Sequence, residues 1–189
     1  MSIAEPQLLT TEQLLAMPDD GMERWLIHGE LREKELTRRN RGHSRLEAVI
    51  AKLLGVWNDQ QPPPRGEVLV GEAGVRLRRN PDTTVGIDVT YISAETARAN
   101  PDDHTVVDGA PLLVVEILSP SDKYEEVKEK IETYLEAGVN LVWVVDPSFR
   151  TITVPRPDAP PQLFNETQTI DAEPHLPGFR VAVSHVFAR

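Results

Sequence analysis

Two carboxylates sit inside apolar stretches that would otherwise exclude them. Glu116 lies within Leu112-Leu113-Val114-Val115-Glu116-Ile117-Leu118, and Asp88 within Val85-Gly86-Ile87-Asp88-Val89-Thr90-Tyr91-Ile92. Burying an ionised carboxylate is expensive unless it is paired or bound to a cation. Two such acids offer oxygen ligands that suit a hard ion such as Mg²⁺, with water and a substrate phosphate completing its shell. Such an ion activates water and polarises a phosphodiester. The competing reading puts each acid at a strand end, solvated or salt-bridged. Costly buried acids occurring together favour a functional site.

Other chemistries lack their residues. There is no G-x-x-x-x-G-K-[ST] or G-x-G-x-x-G loop to cradle a nucleotide, and no G-x-S-x-G elbow for a serine hydrolase. The chain has no cysteine, and His28, His43, His104, His175 and His185 include no close pair at zinc-ligand spacing.

The elements that must position the acids follow from hydrophobic patterning. Pro111–Leu118 reads as a strand buried on both faces. Residues 122–136 carry Tyr124, Val127, Ile131, Tyr134 and Leu135 on one helical face, and Gly138 is a suitable C-terminal cap. Leu141–Val145 is a second buried strand, so the segment forms a βαβ unit with a parallel pair. Val85–Ile92 reads as a strand. Upstream, Glu67–Leu77 gives one or two strands, with Gly71 and Gly74 marking irregularities. From His43, the positions Leu46, Val49, Ile50, Leu53, Leu54 and Trp57 define an amphipathic helix, preceded by a basic polar loop, Arg38–Gly42. Thr10 or Thr11 caps a short helix through Met17, and Trp25–Arg32 reads as a hairpin turning at His28-Gly29. Ser93–Gly109 is a loop or short helix, and the Pro-rich tail from Thr151 offers one or two short strands.

The chain has 189 residues, favouring one domain over 1–189. No apolar run is long enough to span a membrane. The N-terminal residues show no secretory signal, so a cytoplasmic protein is expected. The net charge is −10, unevenly spread. Residues 1–80 hold 12 basic and 12 acidic side chains, whereas 81–189 hold 8 and 18. The basic stretch Arg32, Lys34, Arg38, Arg39, Arg41 and Arg45 is the best candidate for holding phosphates, since the remaining surface should repel them.

The order of segments, Ile87-Asp88, then PLLVVEILSPSD, then EKIETYLEAGVNLVWVVDP, then LPGFRVAVSHVF, resembles the family of putative restriction endonucleases found widely in bacteria. That family belongs to the PD-(D/E)XK nuclease superfamily. The resemblance also takes in TTEQLLAM, the hairpin at His28-Gly29-Glu30-Leu31 and the helix opening at His43, and it covers roughly residues 8–187. It implies an α/β restriction-endonuclease-like core, a central mixed β-sheet flanked by helices. It further implies DNA hydrolysis dependent on Mg²⁺ or Mn²⁺, with Asp88 matching the first metal-binding acid and Glu116 the second.

The chain departs from the superfamily pattern at two positions. Ile87 replaces the proline before the first acid, and Leu118 stands where the superfamily carries its lysine. Residues two apart on a strand share a face, so a lysine at 118 would point beside Glu116. The resemblance moves that lysine to Lys130 on the following helix. Lys123, Val127, Lys130 and Tyr134 form one stripe, so buried Val127 and Tyr134 would lean Lys130 toward the sheet. There it would position the attacking water or steady charge on the phosphate. Lys123, in the first turn, competes for the role; the bland alternative for Lys130 is a surface pair with Glu126. Glu47 is the candidate for a third metal-binding acid, or a solvated helix residue. His43 either contacts phosphate, with Arg38, Arg39 and Arg41, or caps and packs the helix start. A homodimer suits cutting of both strands of a duplex. Two alternatives stay open. One is a DNA-binding or regulatory protein with this fold and little or no cleavage. The other is a structural protein whose acids are simply paired.

Overall fold

The computed structural model describes residues 8–35 and 40–188. Residues Leu36–Arg39, including Arg38 and Arg39 of the basic stretch, lie outside the described residues. The elements run α1 (Thr11–Leu15), β1 (Met22–Ile27), β2 (Glu30–Glu35), α2 (Arg41–Asp59), β3 (Glu67–Arg78), β4 (Thr83–Ile92), α3 (Ala94–Ala99), β5 (Val107–Asp108), β6 (Leu113–Ile117), α4 (Tyr124–Glu136), β7 (Leu141–Asp146), β8 (Thr151–Val154), β9 (Gln162–Phe164), β10 (Thr169–Asp171), β11 (Arg180–Ala182) and α5 (Val183–Val186). None of the described helices is long and apolar enough to cross a membrane.

Nine strands form one mixed sheet in the order β2-β1-β4-β6-β7-β8-β9, with β3 on β4 and β5 on β3. The β6–β7 pair is parallel, as a βαβ crossover requires, from Leu113↔Leu141 to Ile117↔Val145. Strict alternation sends Leu113, Val115, Ile117, Leu141, Trp143 and Val145 to one face, where Leu46, Ile50, Leu54 and Trp57 of α2 cover them. Val114, Val142 and Val144 point to the other face and pack beneath Tyr134, Ile131 and Leu135 of α4. Helices therefore cover both faces, which explains why β6 and β7 read as continuous apolar runs.

Differences from the sequence expectation are local. Helix α2 begins at Arg41, because the Asn40 side chain accepts from His43 N and caps it two residues early. Helix α1 stops at Leu15. The tail holds four strands and a short helix, each too brief to print a periodicity.

Strand β4 creates the opening that the site uses. One edge pairs with β3 along nearly its whole length. The other edge pairs with β1 only at Leu26↔Thr84 and with β6 only from Val89↔Val115 to Tyr91↔Leu113. On that edge the strand ladder lapses between Thr84 and Val89. Opposite Asp88, β3 carries a bulge: the register jumps between Val70 and Ala73, with Gly71 at φ 80° and Glu72 at φ 60°. The facing pattern of β4 changes phase here. Val85 and Ile87 belong to the α4-side core, Val89 and Tyr91 to the α2-side core. A bulge that kinks a strand and re-aims one side chain accounts for the change.

Candidate active site

Continuing the β4–β6 register one step past Val89↔Val115 sets Asp88 against Glu116, at the point where the two strands part. The parting leaves backbone groups without ladder partners, and side chains satisfy them. Ile117 N donates to Asp88 Oδ2 at 2.7 Å. Lys130 Nζ donates to Gly86 O at 3.2 Å. A Cβ at Gly86 would meet the Glu72 carboxylate, which would have to swing aside to admit it.

Glu116 shares its face with Val114, which turns it toward α4. Lys130 Nζ lies 3.3 Å from both Glu116 oxygens, and Tyr134 Oη donates to Oε1. Lys130 and Tyr134 are one helical turn apart, so both reach the same carboxylate. Burial pushes the Glu116 carboxyl up, Asp88 adds to this, and Lys130 and Tyr134 pull it back without cancelling the rise. Burial alone would lower Lys130, but Glu116 and Asp88 outweigh it and hold the ammonium above its ordinary range. Burial and the Glu116 charge keep the Tyr134 phenol protonated, well above its ordinary value.

Asp88 looks the other way, toward α2. Its Oδ1 is 3.1 Å from His43 Nε2. Glu47, one turn on from His43, places Oε1 3.4 Å from the same nitrogen. Donor atoms of His43, Glu47 and Asp88 all lie within 4.8 Å of one another. Glu47 Oε1 is enclosed and accepts no hydrogen bond among the described residues. An imidazole and two carboxylates with donor atoms this close together, one oxygen accepting no hydrogen bond among the described residues, is a set that a divalent cation fits.

Asp88, Glu116, His43 and Lys130 line one cavity of about 520 Å³, with Asn40, Lys34, Trp25, Glu72, Asp122 and Glu126 also on its wall. Glu47 is half-enclosed behind His43 rather than solvated. Lys123 is turned away: its side chain is 74% exposed and its Nζ pairs with Glu126 at 2.9 Å. His43 does not cap α2; Asn40 does, and the imidazole is 4% exposed. The basic stretch is partly spent internally. Arg32 binds Glu129 and Glu30, Lys34 pairs with Glu23, and Arg45 donates to Ala188 O. Arg41 is exposed. Sequence patterning alone had Tyr134 as a core residue; its place four residues after Lys130 is the signal that it shares the lysine's target.

The family model for Uma2, putative restriction endonuclease, matches residues 11–184. The chain belongs to this family. The Uma2 match covers both faces of the sheet and every element that contributes to the cavity. None of the curated proteins matches the chain in sequence. A crystal structure of a putative nuclease belonging to DUF820 from Anabaena variabilis ATCC 29413 superposes with a TM-score of 0.76, over 96% of this chain and 98% of that one, at 18% identity. At that identity the likeness shows the fold: a restriction-endonuclease-like mixed sheet flanked by helices.

Proposed function

We propose that the chain is a divalent-metal-dependent endodeoxyribonuclease, one nuclease-like domain that hydrolyses phosphodiesters in DNA. The observation that carries this reading is the meeting of Lys130 with Glu116, beside Asp88, where β4 and β6 part. An amine from α4 stands where Leu118 of the strand has none to offer.

Asp88 and Glu47 would hold Mg²⁺ or Mn²⁺, with Glu116, which lies outside their cluster and is bound by Lys130 and Tyr134, as the further proposed metal-binding acid; the ion when bound supplies Lewis acidity toward the phosphodiester and eases deprotonation of water. The chain's own residues do the rest. Lys130 stays cationic beside two carboxylates, so it acts as a fixed positive charge against the negative charge that develops on the phosphate. Tyr134 donates to Glu116 and fixes its orientation. Ile117 N fixes Asp88 in the same way. Arg41, with Arg38 and Arg39, would supply sequence-independent contacts to DNA phosphates. A homodimer would bring two such cavities to the two strands of a duplex.

Incubating supercoiled plasmid with the full chain tests the reading. Cleavage is expected with Mn²⁺ or Mg²⁺, none with EDTA, and a loss of about 10²-fold or more in Asp88→Ala and in Lys130→Ala. Metal-independent cutting, or full rates in both variants, would overturn it. DNA binding without cleavage under any metal would favour a regulatory protein that keeps the fold, a reading that the acidic total charge supports.

A further inference from the structure

His43 places a nitrogen donor among the acids of the site, and this alters which cation suits them. Its Nε2 lies 3.1 Å from Asp88 Oδ1 and 3.4 Å from Glu47 Oε1. Two donors set at right angles around an ion, each at about 2.1 Å, stand about 3.0 Å apart. Both separations are within a few tenths of an ångström of that spacing. A hydrogen bond between His43 and Asp88 explains only one of them. It leaves Glu47 Oε1 enclosed, facing the same nitrogen and accepting no hydrogen bond among the described residues. Two independent elements bring the three groups together. His43 and Glu47 project from successive turns of α2, and Asp88 is re-aimed on β4 by the bulge opposite it.

We infer that His43 is a metal ligand through Nε2 and that the site selects a first-row transition ion such as Mn²⁺ over Mg²⁺. The inference rests on the metal-dependent nuclease reading and narrows it. Mg²⁺ dehydrates reluctantly and takes oxygen ligands, whereas an imidazole nitrogen binds transition ions more strongly. A mixed nitrogen and carboxylate set therefore gives up Mg²⁺ affinity relative to an all-oxygen set, and gains affinity for the softer ions.

The test is calorimetric titration of the full chain with MnCl₂ and, separately, MgCl₂, joined to pulsed EPR of the Mn²⁺-loaded protein. Mn²⁺ is expected to bind tighter than Mg²⁺ by about tenfold or more, with nitrogen hyperfine coupling in the EPR spectrum. In His43→Gln the coupling is lost and the gap between the two ions narrows. The EPR measurement is made on the wild type, so a variant that fails to fold leaves the test intact. An oxygen-only spectrum, or equal affinities, would overturn the inference and reduce His43 to a hydrogen-bond partner of Asp88, with the nuclease reading still standing. Binding of neither ion at millimolar concentration would overturn both.

Discussion

Replacing Lys130 by Met probes an enclosed ion pair of the cavity. Lys130 and Glu116 expose only 15% and 14% of their side chains, and 3.3 Å separates Nζ from Oε2. At an effective dielectric of about 20, charges that close attract by about 5 kcal/mol, before the desolvation that both groups have already undergone. Removing one partner strands the other, at a cost of about 3–5 kcal/mol. Tyr134 still donates to Glu116, and the carboxyl can take up a proton, so Lys130→Met should fall at the lower end, about 3 kcal/mol. Glu116→Gln strands the ammonium and should cost a similar amount. The double variant strands nothing and fills nearly the same space, so it should lie within about 1 kcal/mol of wild type. The cycle then gives a coupling energy of about 5–6 kcal/mol. Urea denaturation in EDTA, followed by tryptophan fluorescence, measures all four corners. If the two single losses simply add in the double variant, the pair is not an ion pair in the folded chain, and the fixed-cation role of Lys130 falls with it. A double variant that folds as well as wild type yet cuts no DNA would mean that the pair is kept for chemistry rather than for stability.

Mn²⁺ should stabilise the wild type by about 2.7 kcal/mol at a hundredfold excess over Kd, raising Tm by several degrees, and Asp88→Ala should abolish the rise in a calorimetric scan. Replacing Arg38, Arg39 and Arg41 together by Ala should lower the slope of log affinity against log salt by about 2–3, read by fluorescence anisotropy on any DNA sequence. An unchanged slope would place the DNA elsewhere. Far from the cavity, Asp82 accepts from Thr11 N and Thr11 Oγ1 at 2.8 and 2.7 Å. Burial pushes its carboxyl up, but the hydrogen bonds from Thr11 and Asn80 and the Arg76 charge more than offset this, so its pKa is lowered by folding. A carboxyl lowered on folding adds stability above its unfolded pKa and loses it as pH falls through the folded value. Asp82→Asn should therefore cost about 1–3 kcal/mol at neutral pH, and progressively less as the pH falls through the folded pKa of Asp82. A loss independent of pH would contradict the charge assignment.

What the sequence made legible tracks how local the determining interactions are. Strands β6 and β7 and most of helix α4 print their burial directly, because both faces of the strands are covered and one helical stripe does the covering; Tyr124, at the start of that stripe, lies beyond the sheet and is exposed. Gly71 was visible as an irregularity in β3. That its bulge would re-aim Asp88, on the neighbouring strand, depends on a register that no single segment contains. The same holds for His43: its spacing from Glu47 is a helical turn, but its approach to Asp88 joins residues 45 apart in the chain. The basic stretch looked uniform in sequence. In the fold, Glu129, Glu30 and Glu23 neutralise part of it, since α4 and β1 bring acids alongside β2.

The exchange of a strand lysine for a helix lysine has a geometric basis that can be reversed. Leu118 follows Glu116 by two residues, extends the strand through its amide to Val145 O, and packs half-buried against the α4-side core. Helix α4 crosses that same face, so position 118 and position 130 both look toward Glu116, one from beside it and one from above. An amine at either place would balance the carboxylate; amines at both would leave one unpaired in a confined space. The core tolerates swaps that conserve volume better than it tolerates added charge. Leu118→Lys alone should therefore destabilise the chain and add no activity. Lys130→Leu should remove cleavage. Combining the two returns one amine and one leucine to the same layer, and should recover cleavage by about tenfold over Lys130→Leu alone, provided that the role of the lysine is a placed positive charge. The rates are read on plasmid with saturating Mn²⁺, after circular dichroism and metal titration have shown a folded, metal-binding swap. A swap that folds and binds metal but cuts no faster than Lys130→Leu would mean that the amine must also hold Gly86 O, a contact that only the helix position can make.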